Sequence, residues 1–300
     1  MPITGAQYEI SAGDYRATVT ELGAGLRALT HAGQPLIAAY PPDELPPGAA
    51  GQLLAPWPNR IGHGRYTFAG SSYQLDLSEP RLGNAIHGLA RWATWAPVRH
   101  EPDRVLLTHV LHGRPGYPFC LELGCQYRVG AGGLEVTVSA RNAGSRPAPY
   151  GTGAHPYLTG GALNDDYVLT VPAARWLQTD ERGIPSGAAS AVTGTAFDFR
   201  RARPLGGTHI DHAFTGLERD PGGKAWARVG TGHGELALWA GEGYGWLQVF
   251  TAGTFSGRCQ AIAIEPMTCP PNSFVTGEDL ITLDPGQGVT HSWGLLHVQR

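Results

Sequence analysis

Two residues carry the first chemical signal in this chain. Glu265 closes the apolar run Ala261-Ile262-Ala263-Ile264, and His155 lies in Gly153-Ala154-His155-Pro156-Tyr157. A carboxylate and an imidazole are the parts for moving protons near neutral pH. Each is followed directly by proline, which holds the preceding residue in extended backbone. On a strand, Ile262 and Ile264 share one face, while Ala261, Ala263 and Glu265 share the other. Small neighbours leave room above the carboxylate for a ligand. A structural ion pair would leave the same trace in one dimension, so the pair needs companions before it reads as a site.

Companions are spread along the chain, each embedded in glycine, proline and aromatics. Pro56-Trp57-Pro58-Asn59-Arg60-Ile61 offers an aromatic plate, an amide and a guanidinium on a stiff loop. Asn84-Ala85-Ile86-His87-Gly88-Leu89 offers a second histidine beside a glycine, and His209-Ile210-Asp211-His212-Ala213-Phe214 an aspartate in an apolar setting. Polar groups for hydroxyls and an aromatic face for the C–H side of a ring are the usual chemistry of a sugar site. Trp57, Asn59, Arg60, His87 and Asp211 are therefore the candidate substrate-binding residues, and His155 and Glu265 the candidate catalytic pair.

Other chemistries find less support. His109/His112 and His209/His212 are spaced by three, which on strands turns the two side chains to opposite sides, so no metal is expected. There is no G-x-S-x-G elbow and no cysteine beside a histidine. Gly23-Ala24-Gly25-Leu26-Arg27-Ala28 fits a dinucleotide fingerprint, but the continuation Leu29-Thr30-His31-Ala32-Gly33-Gln34-Pro35 cannot sustain the helix that motif requires. A glycine bulge between two strands is expected there, and no cofactor.

The elements that must position these residues read as β structure nearly throughout. Leu134, Val136 and Val138 alternate with Glu135, Thr137 and Ser139, the period of a half-buried strand. Similar runs occur at Tyr15–Thr20, Tyr73–Leu77, Val105–Leu111, Leu121–Val129, Glu235–Trp239, Trp246–Thr251 and Thr290–Val298, with turn residues between them. Gln52–Trp57 is the one place where a helical turn is expected. With no linker and no repeat, the 300 residues read as a single all-β domain of stacked antiparallel sheets. The net charge is -3 and Lys224 is the only lysine, so no basic stripe for nucleic acid exists. Cys120, Cys125, Cys259 and Cys269 lack zinc spacing and read as reduced, buried residues. No secretory signal and no membrane-spanning run is visible, so a soluble, cytoplasmic protein is expected.

The order Asn59-Arg60-Ile61, His87-Gly88, His155-Pro156-Tyr157, Asp211-His212-Ala213-Phe214 and Glu265-Pro266 resembles the aldose 1-epimerase (galactose mutarotase) family over nearly the whole chain. The resemblance implies a β-supersandwich and interconversion of the α and β anomers of a free aldose, a hexose such as glucose or galactose, without cofactor. By position it implies Glu265 as general base, His155 as general acid, and Arg60, His87 and Asp211 as sugar-holding residues. Typical members carry an Asn-His-Thr-Tyr-Phe type sequence around the acid, where this chain has Ala154-His155-Pro156-Tyr157. The chemistry agrees with the residues: an unperturbed Glu is ionised and an unperturbed His partly protonated at neutral pH, and a nearby carboxylate favours the imidazolium. Two alternatives share the fold. A hexose-phosphate mutarotase would need arginines facing the phosphate, for which Arg81 and Arg91 flank the His87 loop. A non-catalytic carbohydrate-binding protein would not need a proton-transfer pair. The expected partner is a small-molecule sugar, with no nucleic acid or membrane, and the expected state is a monomer or homodimer.

Overall fold

The alternation that predicts strands reappears as burial. In a computed structural model that describes residues 1–160, 167–232, 234–255 and 259–298, Leu134, Val136 and Val138 of the strand Gly133–Asn142 are buried, and the residues between them are partly exposed. That strand pairs antiparallel with Leu121–Gly130 on one side and Gly288–Val298 on the other, inside a nine-stranded sheet. A second, eight-stranded sheet is organised around Asp211–Leu217, Trp246–Phe255 and Cys259–Met267. One apolar cluster joins them: Phe214, Leu247, Val249, Ile262 and Ile264 from the second sheet meet Leu107, Leu123, Val136, Leu238 and Trp293 from the first. Removing those two inner faces from water is what holds the sheets together. A third, four-stranded sheet runs in chain order through Gln7–Ala12, Tyr15–Thr20, Leu26–His31 and Gln34–Pro35.

Several sequence expectations change in detail. Gln52–Trp57 forms no helical turn; Leu53–Leu54 is a short strand paired with Gly153–Ala154. Both leucines are buried, and edge pairing satisfies backbone groups that an isolated turn would leave open. The strand expected at Tyr73–Leu77 runs instead over Ser71–Gln74. The Gly23–Gly25 segment connects two antiparallel strands with a register shift at Thr18/Val19, and no helix follows it. The one α-helix among the described residues is a single turn, Ser273–Thr276. None of their helices is long and apolar enough to cross a membrane. Cys125 and Cys269 are buried free thiols; Cys120, just ahead of the strand Leu121–Gly130, is only partly buried, and the side chain of Cys259 lies outside the described residues.

Candidate active site

Strand register builds the floor of the site. Asp211 faces Phe250, Phe250 faces Ala263, and Ala263 faces Tyr157, making one row across the eight-stranded sheet. In the neighbouring row Ala213 faces Gln248 and Gln248 faces Glu265. Since side chains alternate across a strand, all of these share the face opposite Ile262 and Ile264. The small side chains of Ala261 and Ala263 are covered by Tyr157, Ala38 and Phe255, so the space beside them is partly filled by aromatic rings. What stays open is a cavity of about 380 Å³ over Glu265.

Asn59, Arg60, His87, His155, Asp211 and Glu265 all line this cavity. His155 sits between two short strands, Gly153–Ala154 and Tyr157–Leu158, which pin it to the sheet. Its backbone N–H donates to Gln52 O at 3.2 Å, and its carbonyl accepts from Gly51 at 2.9 Å. The imidazole Nε2 is 3.3 Å from Glu265 Oε1, and both side chains are almost wholly buried. The His155 ring stacks on Tyr157, with centroids 4.9 Å apart, and takes the His87 ring edge-on at 5.2 Å.

The second histidine depends on backbone that L residues rarely adopt. His87 has φ of 63° and Gly88 φ of 71°. A Cβ on Gly88 would lie 2.1 Å from the Ala55 carbonyl oxygen, so only glycine fits there. The His87 amide donates to Asn59 O at 2.9 Å, and Ile86 pairs with Arg60 in the adjoining ladder. The Asn59–Arg60 and His87 loops are thus one structural unit. Asn59 is buried with φ of 54°, and its Oδ1 accepts from the Arg60 amide. Arg60 is clamped by Glu79, with Nε to Oε2 at 3.0 Å and Nη2 to Oε1 at 3.1 Å, while its Nη1 lies 4.0 Å from Asp211 Oδ2.

Trp57 is a correction. Its indole is 1% exposed, packs edge-on against Phe274 with centroids 5.6 Å apart, and does not reach the cavity. The strand–loop connection turns it into the core, where its apolar area is worth more than at a wet rim. Aromatic surface at the cavity comes instead from Trp92, Tyr157 and Phe250. Three further contributors escaped the sequence reading. Gln248 donates to Asp211 Oδ1 at 2.6 Å and fixes that carboxylate. Glu79 orients Arg60. The Pro46–Ala49 loop forms one wall, held where Tyr157 donates its hydroxyl proton to Gly48 O at 3.1 Å. Arg91 lines the cavity, whereas Arg81 does not. Gln248 shares the strand parity of Phe250, but nothing in sequence says which strand lies beside Glu265.

Electrostatics corrects the expected ion pair. Burial pushes the Glu265 carboxyl well above its ordinary range, and the Asp211 charge pushes the same way against the pull of Arg60. Burial brings the His155 imidazole down to about 3, helped by the positive charges of Arg91 and Arg60. His87 is held well below its ordinary value by burial and by His155. Removal from water disfavours each charged form more than mutual attraction restores it. Burial therefore favours the neutral distribution of the pair, with the proton on Glu265 and not on His155. Among the described residues no group of three or more His, Cys, Asp or Glu side chains could hold a metal ion.

The sequence pattern of the aldose 1-epimerase family matches residues 6–295. The chain belongs to the aldose 1-epimerase family. It is 36% identical over 291 residues to a protein of Escherichia coli K12 named YihR and described as uncharacterised, covering 96% of this chain and 92% of that relative. It is 28% identical over 238 residues to the aldose 1-epimerase of the same organism, covering 72% and 66% of the two chains. To galactose mutarotase of Rattus norvegicus it is 33% identical over 164 residues, spanning 49% of this chain and 44% of the rat protein. Among solved structures, the GalM/aldose epimerase homologue from C. elegans superposes with a TM-score of 0.85 at 20% identity, covering 98% and 99% of the two chains. That likeness shows the all-β, galactose mutarotase-like fold for this family member.

Proposed function

We propose that this member of the aldose 1-epimerase family interconverts the α and β anomers of an aldose whose C1 hydroxyl is free, with Glu265 and His155 as the proton-transfer pair. The observation that carries this reading is the imidazole and carboxylate 3.3 Å apart, buried and both lining one cavity. Anomer exchange requires the C1 hydroxyl to lose its proton and the ring oxygen to gain one as the C1–O bond breaks. Rotation about C1–C2 and closure on the other carbonyl face reverse both transfers. A pair that holds one proton between two sites serves both directions, and each turnover returns it to that state.

In this reading Glu265 takes the proton from the C1 hydroxyl and His155 delivers one to the ring oxygen. Burial favours the proton on Glu265, so seating of the sugar has to bring it across the 3.3 Å gap. A sugar hydroxyl donating to Glu265 favours that shift by stabilising the carboxylate. Arg60, Asp211 and Gln248 form a pre-assembled donor and acceptor row for ring hydroxyls, and Asn59 and His87 complete the wall. A module that only binds sugar gains nothing from burying an acid and a base against each other, since such burial is costly. Polarimetry of freshly dissolved α-anomers, with chelator present, tests the proposal. Acceleration over buffer on at least one aldose is expected; rates equal to buffer across glucose, galactose, their 6-phosphates and common deoxysugars would defeat it.

A further inference from the structure

A clasp outside the cavity bears on how Arg60 faces into it. Asp180 shapes the turn 180–184: its Oδ1 accepts from the Arg182 and Ile184 amides, both at 2.9 Å, and its carbonyl from the Gly183 amide at 3.0 Å. Gly183 has φ of 71° and lies against Arg60, where a Cβ would come within 2.6 Å of Nη1 and 2.9 Å of Cζ. From this turn Arg182 reaches across to a second segment. Its Nε donates to Leu82 O at 2.8 Å, and its Nη2 to Gly83 O at 2.9 Å and Asn84 Oδ1 at 3.0 Å. A guanidinium has no acceptor, so at 2.7 Å from Nη1 it is His63 Nε2 that accepts. These acceptors are uncharged, and the planar fork ties together stretches 98 to 119 residues apart in sequence.

The clasp reaches Arg60 through one amide. Asn84 is wholly buried. Because Arg182 can only donate, the Asn84 atom beside Nη2 is the oxygen, and that sends Nδ2 to Glu79 Oε2 at 2.8 Å and to Arg182 O at 2.9 Å. The flipped amide would set donor against donor and acceptor against acceptor. Glu79 is thereby fixed where it takes Arg60 Nε at 3.0 Å and Nη2 at 3.1 Å. With those two edges of the guanidinium held, Nη1 is the edge turned to Asp211, 4.0 Å away. Arg60 lines the cavity, whereas Glu79, Asn84 and Arg182 do not.

We infer that Arg182 is a positioning residue for the sugar site. Acting through Asn84 and Glu79, and holding Gly183 against the guanidinium, it fixes the plane of Arg60. Its effect on turnover rests on the sugar-holding role of Arg60 proposed above; its effect on Arg60 does not.

The test has one arm without sugar and one with it. The Arg60 Nε–H is donated to Glu79 on a side chain that is 15% exposed. In spectra of nitrogen-15-labelled protein it should give a distinct arginine side-chain signal in slow exchange with water, identified by its loss in Arg60→Lys. Arg182→Ala should speed that exchange about tenfold or more, the size of one charge-assisted hydrogen bond. Arg182→Lys, with the charge but not the fork, should fall between; melting curves establish that the variants are folded. On the aldose that polarimetry shows to be turned over fastest, Arg182→Ala should raise KM about tenfold and leave kcat within about twofold, because Arg60 holds sugar but moves no proton. In the Arg60→Lys background the same substitution should change KM by less than about twofold. An Arg60 signal unmoved in Arg182→Ala, a lower melting temperature with KM unchanged, or an equal KM effect in both backgrounds would overturn the inference. If no aldose is turned over, the catalytic reading fails and the exchange arm alone decides this one.

Discussion

Replacing Glu265 by glutamine should cost activity and gain stability, and the gain should grow with pH. Among the described residues the carboxyl is 2% exposed, its Oε2 has no hydrogen-bond partner, and its ion-pair contact is His155 rather than an arginine. Its folded-state pKa lies above the unfolded value of 4.5. The native state therefore binds this proton more tightly than the unfolded chain does, and stability is lost as pH rises from 4.5 through the folded value. His155 works in the opposite sense. Its pKa falls from 6.5 to about 3, so stability is lost as pH drops through that interval. In the wild type the two slopes cancel between 4.5 and 6.5, and only the glutamate slope remains above. Glutamine keeps the shape and removes that slope. The variant's stability relative to wild type should rise by about 1.4 kcal/mol for each pH unit in which the native carboxyl stays protonated, then level off. Urea unfolding of both proteins at one-unit steps from pH 5 to 9 measures this difference. Mutarotation measured alongside should fall about 10²-fold or more, with sugar affinity little changed. A stability difference that stays flat or shrinks with rising pH would refute the claim that burial dominates this pair.

Two further outcomes follow from the same geometry. The pH profile of kcat/KM should show a broad one-proton plateau whose acidic limb lies well below an ordinary imidazole, because His155 takes a second proton only near about 3; an acidic limb centred near pH 6.5 would contradict it. Trp57→Ala should lower unfolding stability by about 3–5 kcal/mol, as expected for emptying a core indole site, while the folded fraction keeps its sugar affinity; a selective loss of affinity in chemical-denaturation and binding assays would return Trp57 to the site.

Much of this protein was legible in one dimension because its signals are local. The period-two alternation at Leu134–Ser139 and at Ala261–Glu265 fixes strand type and facing without knowledge of partners. Proline and glycine beside His155, Glu265 and His87 mark residues held in restricted backbone, and the motif order carries the family. Trp57 misled because an aromatic between two prolines looks like a displayed plate, and the fate of a side chain leaving a strand depends on which face the chain turns toward.

Everything that depends on distance between remote segments was decided by tertiary structure. That Gln248 lies beside Glu265 and that Phe250 and Tyr157 flank Ala263 are consequences of register across antiparallel strands, and that Glu79 holds Arg60 depends on how the loops between strands fold back. The protonation of the catalytic candidates belongs to the same class. Residue type alone gives an ionised glutamate and a partly charged histidine, but their charge is set by how much water the fold removes. In this fold nearly all of it is removed from both groups, so low dielectric, rather than the chemistry of either side chain, determines where the pair's proton rests.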